Sequence, residues 1–313
     1  KDDIRTLNDE QLSAWVVAHV EKAFRAKQIS EWLWKKNVAA FDDMINIPLP
    51  LRQALKENFF LQKISIDERQ QSSDGSLKYA LKLADAQVIE MVLIPSKNRT
   101  TVCVSSQVGC GLGCRFCATA KLGFTRNLLA HEMYEQVFIA NEESKQLFGH
   151  PLTNIVWMGM GEPLLNYENV IQAINYITSA KGLAMSKDRI TLSTSGIGNG
   201  IRRLADDGIK VHLALSLHSA DNSQRAELMP ITQTNSLTQL SNALAYYYQK
   251  TGLRISIEYL LLHAVNDTAE HARKLAVFCK RFPVKINLIE YNPHPYADFK
   301  SSNKQNLRLF MEL

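Results

Sequence analysis

Apolar and polar positions divide the chain into three rhythms. Through residue 58, apolar residues recur at helical spacing. Asn8 is placed to cap DEQLSAWVVAHV, a second helix fits AKQISEWLWKK, and a third fits PLPLRQALKENF with prolines at its entry. Over residues 61–95 the segments KISIDERQQ, SLKYALKLA and QVIEMVLIP alternate or run apolar and are joined by SSDG. They predict a small antiparallel β extension. From residue 99, β-branched apolar runs recur: TTVCVSS, NIVWMGM, RITLSTS, KVHLALSLH, RISIEYLLL and KINLIEY. Amphipathic stretches such as LAHEMYEQVFIANEESKQLF and SLTQLSNALAYYYQK separate them. Buried strands alternating with helices predict an α/β fold with a parallel sheet. Six such units suit a partial (β/α)6 barrel. The expected organisation is a helical domain over 1–58, a β-hairpin extension over 59–98 and a barrel over 99–313. Each barrel strand runs out into polar or small residues: GMGEP, STSG, SLH, HAVND and YNP. In βα-barrels chemistry sits at the strands' carboxyl ends.

Composition narrows the class. The 313 residues are 46% hydrophobic and 21% charged, ordinary for a globular protein. No apolar run approaches the ~20 residues of a membrane span, and the opening KDDIRTLNDEQ lacks the apolar core of a signal peptide. The expectation is a cytoplasmic protein with reduced thiols and no membrane contact. A net charge of +5 permits a nucleic-acid partner without demonstrating one. Lys22, Arg25, Lys27, Lys35 and Lys36 make the first segment basic. They read equally as a solvated face or as RNA contacts.

Four of the five cysteines crowd into CVSSQVGCGLGCRFC, residues 103 to 117. A zinc ribbon wants two C-x-x-C pairs well apart, and only Cys114 and Cys117 form one. A thioredoxin-like dithiol leaves Cys110 unexplained. Cys110, Cys114 and Cys117, spaced C-x3-C-x2-C, suit a compact loop around an iron–sulfur cubane. Such clusters usually take four cysteines, so three leave one iron open. Gly109, Gly111 and Gly113 supply the tight backbone such a loop needs.

This spacing, with Phe116 before the last cysteine, resembles the radical S-adenosylmethionine superfamily. CVSSQVGCGLGCRFCATA, MGMGEPLLN, LSTSG, SLH and INLIEYNP, in that order, resemble the RlmN-type rRNA and tRNA adenine methyltransferases over nearly the whole chain. The resemblance implies one 4Fe–4S cluster per chain on Cys110, Cys114 and Cys117, with S-adenosylmethionine on the open iron. It implies cofactor contacts at Gly161, Glu162, Ser193, Ser216, Leu217, His218 and Asn292. It implies a catalytic proton acceptor at Glu90, which otherwise reads as a strand residue facing solvent. Cys103, which as a fourth ligand would close the open iron, is by resemblance a substrate-side thiol that resolves a protein–RNA adduct by forming a disulfide. The implied reaction methylates carbon 2 of an adenosine in 23S rRNA, and in tRNA, through a methylated cysteine and a 5′-deoxyadenosyl radical. A monomer and a reducing electron-donor protein are implied as well. Lys121, Arg126, Lys181, Lys187 and Arg189 are candidate phosphate contacts. Two other readings share part of these features: a resistance-type enzyme methylating carbon 8, and a zinc-stabilised RNA-binding module without catalysis.

The sequence departs from the family in one place. The methyl-carrying cysteine of the family lies beyond the last barrel strand, and this sequence stops at MEL. The only other cysteine, Cys279, sits within ARKLAVFCKRF at a spacing that implies packing. With Cys103 and Glu90 intact, truncation is the expectation rather than degeneracy. These 313 residues alone are expected to bind the cluster and cleave the cofactor without completing methyl transfer.

Overall fold

A computed structural model describes residues 1–312, and its contacts divide the chain into two compact units. The first comprises 1–104, 128–154 and 168–186, the second 105–127, 155–167 and 187–313.

The first unit opens with helices α1 (Asp9–Ala18), α2 (Phe24–Ser30) and α3 (Leu49–Asn58). Asn8 caps α1 as expected: its side chain accepts from the Gln11 amide at 2.8 Å, and the Gln11 side chain accepts from the Asn8 amide at 2.9 Å. The helix expected through EWLWKK does not stay α. It loosens into a π-helical turn over Glu31–Lys35, which buries Trp32, Leu33 and Trp34 together. Two-residue strands β1 (Asp2–Asp3) and β2 (Phe59–Phe60) pair in parallel. The expected β extension is a meander of β3 (Ser65–Gln71), β4 (Leu77–Lys82) and β5 (Val88–Ser96). β6 (Arg99–Cys103) joins it antiparallel to β5, with Val92 opposite Cys103. Alternation decides the faces: Leu77, Tyr79, Leu81, Ile89, Met91 and Leu93 are buried. Helix α4 (Ala130–Phe148) accepts Tyr79, whose hydroxyl donates to Glu143 at 2.7 Å. Helix α5 (Tyr167–Thr178) falls mostly in this unit.

A buried ion network ties the first residues to α4. Arg5 pairs with Asp3 and with Glu135, each at 2.8 Å, and Lys63 reaches Glu135 at 2.6 Å. All three members of the Asp3–Arg5–Glu135 chain are almost fully buried, so removing Arg5 takes the paired cation from Asp3 and leaves Glu135 with Lys63 alone. Arg5→Met is expected to cost about 3–5 kcal/mol in chemical denaturation. Burial raises the Asp3 carboxyl, but the hydrogen bonds and charge of Arg5 outweigh it and hold it below the usual carboxylate range. Burial, reinforced by Arg5, pushes His131 below the usual imidazole range. Both groups therefore bind protons more weakly when folded, and their stabilisation is present at neutral pH and lost on acidification. The apoprotein melting temperature should fall first as pH drops through about 6.5, where unfolded histidine charges, and again below about 4. A His131→Gln protein should show a smaller first step in a pH series of thermal melts, with the remainder left to His218, which burial also holds below the usual imidazole range.

The second unit holds a hairpin of β7 (Gln107–Gly109) and β8 (Phe124–Asn127) and a parallel sheet. Its strands are β9 (Asn154–Trp157), β10 (Ile190–Thr194), β11 (His212–Ser216), β12 (Ile255–Leu261) and β13 (Val284–Glu290), paired in sequence order. Helices α6 (Gly198–Asp206), α7 (Asn222–Leu228), α8 (Leu237–Thr251), α9 (Ala269–Cys279) and α10 (Lys304–Glu312) complete it. Along the chain, β6 and β9–β13 alternate with helices, the rhythm read from the sequence. Leu192, Leu213, Leu215, Ile257 and Tyr259 are fully buried in the sheet. Each such side chain contributes about 1.5–3 kcal/mol by leaving water. Among the described residues, no helix is long and apolar enough to cross a membrane.

Candidate active site

The cysteine loop follows β7 and is shaped by two backbone constraints. Gly109 has φ +73°, and a Cβ there would lie 1.8 Å from the Gly123 carbonyl oxygen. That oxygen accepts from the Cys110 amide at 2.7 Å, closing the loop's base. At its far side the Cys117 amide donates to the Cys114 carbonyl at 3.2 Å, a tight turn that brings the last two thiols together. Burial raises the Cys110 thiol and pushes Cys114 up to about 12, and each thiol is pushed further by the other cysteines. The Cys110 and Cys114 thiols, whose charged forms burial disfavours, are costly to ionise alone and suit a cationic centre.

Cys110, Cys114 and Cys117 line a cavity of about 260 Å³ at the carboxyl ends of the parallel strands. Gly161 and Glu162 enter it from the loop after β9, Ser193 from β10, and Ser216 and His218 from the end of β11. The strand ends are thus where the sequence placed the chemistry. Among the described residues, no three His, Cys, Asp or Glu side chains are grouped to hold a single metal ion. A cluster asks less convergence of its thiolates, because each binds a different iron. A wider groove of about 490 Å³ beside Arg273, Lys274 and Arg281 contains no thiol.

Glu162 is held from several directions. Its carboxylate accepts from the Ser195 amide at 2.7 Å and the Leu164 amide at 3.1 Å, and its own amide donates to the Gln107 side chain at 2.9 Å. Burial raises its carboxyl, and the backbone donors pull the other way. Gly161 beside it has φ +96°, with the Gln107 side chain packed where a Cβ would go. His218 has φ +55°. The Leu260 amide donates to its Nδ1 at 3.0 Å, and the Asn266 side chain donates to its carbonyl at 2.6 Å. Burial, with the charge of Arg225, lowers its imidazole to about 3. The ring is therefore neutral, with its proton on Nε2. Phe116 meets it edge-to-face at 4.9 Å. The Ser193 and Ser216 hydroxyls stand 3.5 Å apart, a weak contact that leaves both able to bond a ligand.

Four expected site residues do not line this cavity. Leu217 is fully buried and donates its amide to the Glu258 carbonyl at 3.0 Å. β11 ends at Ser216, Leu217 turns into the core, and His218, with its left-handed backbone, lines the cavity again. Asn292 is exposed beyond β13. Glu90 and Cys103 belong to the first unit. Glu90 lies on the exposed face of β5, where Lys78 pairs with it at 2.5 Å. Cys103 ends β6 half-buried, and among the described residues the cysteines carry no disulfide.

The cavity also holds residues that sequence reading passed over. Glu258, 8% exposed on β12, accepts from Asn287 at 2.8 Å, and burial raises its carboxyl. A lone carboxylate inside RISIEYLLL was the available signal. Trp157 lines the cavity, and its buried indole N–H has no hydrogen-bond partner among the described residues. Of the candidate phosphate contacts, Lys121, Lys187 and Arg189 are exposed, Arg126 is half-buried, and Lys181 pairs with Asp9 at 2.6 Å.

Comparison with known proteins shows the family and the fold. Residues 3–61 match the ribosomal RNA large subunit methyltransferase N-terminal domain, and residues 104–276 match the radical SAM superfamily. A probable dual-specificity RNA methyltransferase RlmN from Christiangramia forsetii is 51% identical over all of this chain and 89% of its own length. One from Flavobacterium psychrophilum is 48% identical over all of this chain and 90% of its own. The crystal structure of a radical SAM methyltransferase from Sphaerobacter thermophilus superposes with a TM-score of 0.92 at 36% identity, covering all of this chain and 92% of that one. A cysteine loop, a carboxylate-bearing GMGEP turn and full-length identity of this order together place the chain in the RlmN family of radical SAM RNA methyltransferases.

Proposed function

We propose that the protein methylates carbon 2 of adenosine in 23S rRNA and in tRNA, using one 4Fe–4S cluster and S-adenosylmethionine. The observation that carries this reading is the meeting of three thiols with Glu162, Ser193, Ser216 and His218 in one cavity. The donor set fits a cluster with an iron left open: three thiols on a glycine-shaped loop, and a polar wall beside them. Cys110, Cys114 and Cys117 would hold it, and it would supply the electron for reductive cleavage of S-adenosylmethionine. Glu162, aligned by the Ser195 and Leu164 amides, is placed to accept from an ammonium or ribose hydroxyl. Neutral His218 offers an Nε2 donor, and the two serine hydroxyls offer both donors and acceptors. The dry walls around Cys114 exclude water that would quench a reactive species. The basic first segment and the names of the relatives support an RNA substrate, with the adenine unstacked to reach the site. An electron-donor protein, a monomeric state and a proton-accepting role for Glu90 belong to the same proposal.

These 313 residues, reconstituted anaerobically, should form 5′-deoxyadenosine and leave RNA unmethylated, whereas a chain that also carries the family's methyl-bearing cysteine should yield 2-methyladenosine in digested 23S rRNA and tRNA, identified chromatographically against both isomers. An 8-methyladenosine product would favour the resistance-type reading. RNA that the cysteine-bearing chain leaves unmodified while 5′-deoxyadenosine accumulates would overturn RNA as substrate.

A further inference from the structure

Two arginines of this protein are almost fully buried, and their surroundings differ. Arg5 has two carboxylates, Asp3 and Glu135. Arg225, on α7, is 0% exposed and bonds only neutral oxygens. Its Nε donates to the Leu217 carbonyl at 3.0 Å and its Nη1 to the Thr232 hydroxyl at 2.7 Å. Its Nη2 donates to the carbonyls of Ser195 at 2.6 Å and Ser216 at 3.1 Å. Three of the four bonds land just at or beyond the ends of β10 and β11, whose last residues border the cavity, and the fourth lands on Thr232 after α7. A buried cation without a counter-charge costs several kcal/mol, and carbonyl dipoles offset only part of that. Burial brings its ionisation down to about 10, opposed only by the charge that Cys114 would carry as a thiolate.

The same helix touches the cysteine loop. The Arg115 amide donates to the Leu228 carbonyl at the end of α7 at 2.9 Å, and Leu228 and Met229 pack against Cys114. The positive charge thus sits on a helix anchored to the cysteine loop, and the missing counter-charge is what a thiolate-ligated cluster brings. A 4Fe–4S core bound by three thiolates is anionic and gains one more negative charge on reduction. A fixed cation beside it favours the reduced form.

We propose that Arg225 is a positioning residue that sets the reduction potential of the bound cluster: its buried, uncompensated charge stabilises the anionic, reduced centre and makes it easier to reduce. This rests on the cluster reading above.

The test is spectroelectrochemical titration of the reconstituted full-length protein, monitoring the reduced-cluster signal without RNA. Wild-type protein that shows no cluster would defeat the cluster reading itself. With wild-type loaded, Arg225→Gln should lower the ratio of reduced to oxidised cluster at fixed potential at least about tenfold, equivalent to about 59 mV for a one-electron couple. Thr232→Asp, which puts a carboxylate on the guanidinium without removing it, should move the ratio the same way. Arg225→Lys, which keeps the charge, and Thr232→Val, which only drops a hydrogen bond, should stay within about threefold. Equal shifts in the Gln and Lys proteins, or no shift in Gln and Asp, would overturn the proposal. If Arg225→Gln takes up no iron, Thr232→Asp decides by the same criterion. If both fail to load, loading by Arg225→Lys supports the charge requirement, and its failure overturns it.

Discussion

Cys110→Ala, reconstituted anaerobically, is expected to retain less than about a tenth of the wild-type iron and to form 5′-deoxyadenosine only at background. Changes to outer partners of a metal ligand already cost about 10–100-fold in affinity, and loss of one of three ligands removes a corner of the grip itself. The same holds for Cys114, buried at the centre of the loop and packed against Leu228 and Met229. Cys103→Ala should keep wild-type iron, because the C-x3-C-x2-C set is complete without it. The measurement is iron and sulfide per chain, with the visible spectrum before and after S-adenosylmethionine. Normal iron in Cys110→Ala, or an iron-free Cys103→Ala, would dismantle the three-thiol site.

Gly161→Ala should be nearly as damaging without touching a thiol. At φ +96° an L side chain is strained. Its Cβ would also stand 2.5 Å from the Gln107 Cβ and 2.9 Å from the Gln107 amide nitrogen. The backbone nitrogen cannot yield, because that amide and its neighbour at Ser106 both bond the Met160 carbonyl. Relief therefore moves Gln107 off the Glu162 amide and swings the carboxylate out of alignment. The expected cost is about 2–4 kcal/mol, a drop in melting temperature of roughly 5–10 °C. S-adenosylmethionine should then perturb the cluster signal far less than in wild type. Gly208→Ala is the control: φ is +66°, but nothing lies within 4 Å. It should cost only about 1–2 kcal/mol and leave the cofactor response intact. A wild-type response in Gly161→Ala would remove Gly161 and Glu162 from the binding wall.

Much of this protein was legible before any coordinates. Helix α1 with its Asn8 box, the meander β3–β5 and the strand–helix rhythm from β6 onward all follow from periodicity and capping, which act over a few residues. The cysteine set was legible because one loop of eight residues carries all three thiols, so spacing alone constrains geometry. Glu162, Ser193, Ser216 and His218 came from motifs at strand ends, and parallel topology gathers strand ends on one side. Leu217 shows the limit of a motif: SLH names three neighbours, but the middle one is buried in the core.

What only the tertiary structure decided is which distant residues share a wall. Gly161 needs to be glycine because of Gln107, and Glu162 takes its alignment from Ser195. In the sequence, Arg225 reads as one more charge on a short helix, NSQRAEL. Its burial depends on β10, β11 and the loop to Thr232 converging around it. Local pattern sets what each segment becomes, because its forces are short-ranged. Charge and burial at the site are sums over elements far apart in the chain, and only the packed sheet and its helices complete that sum.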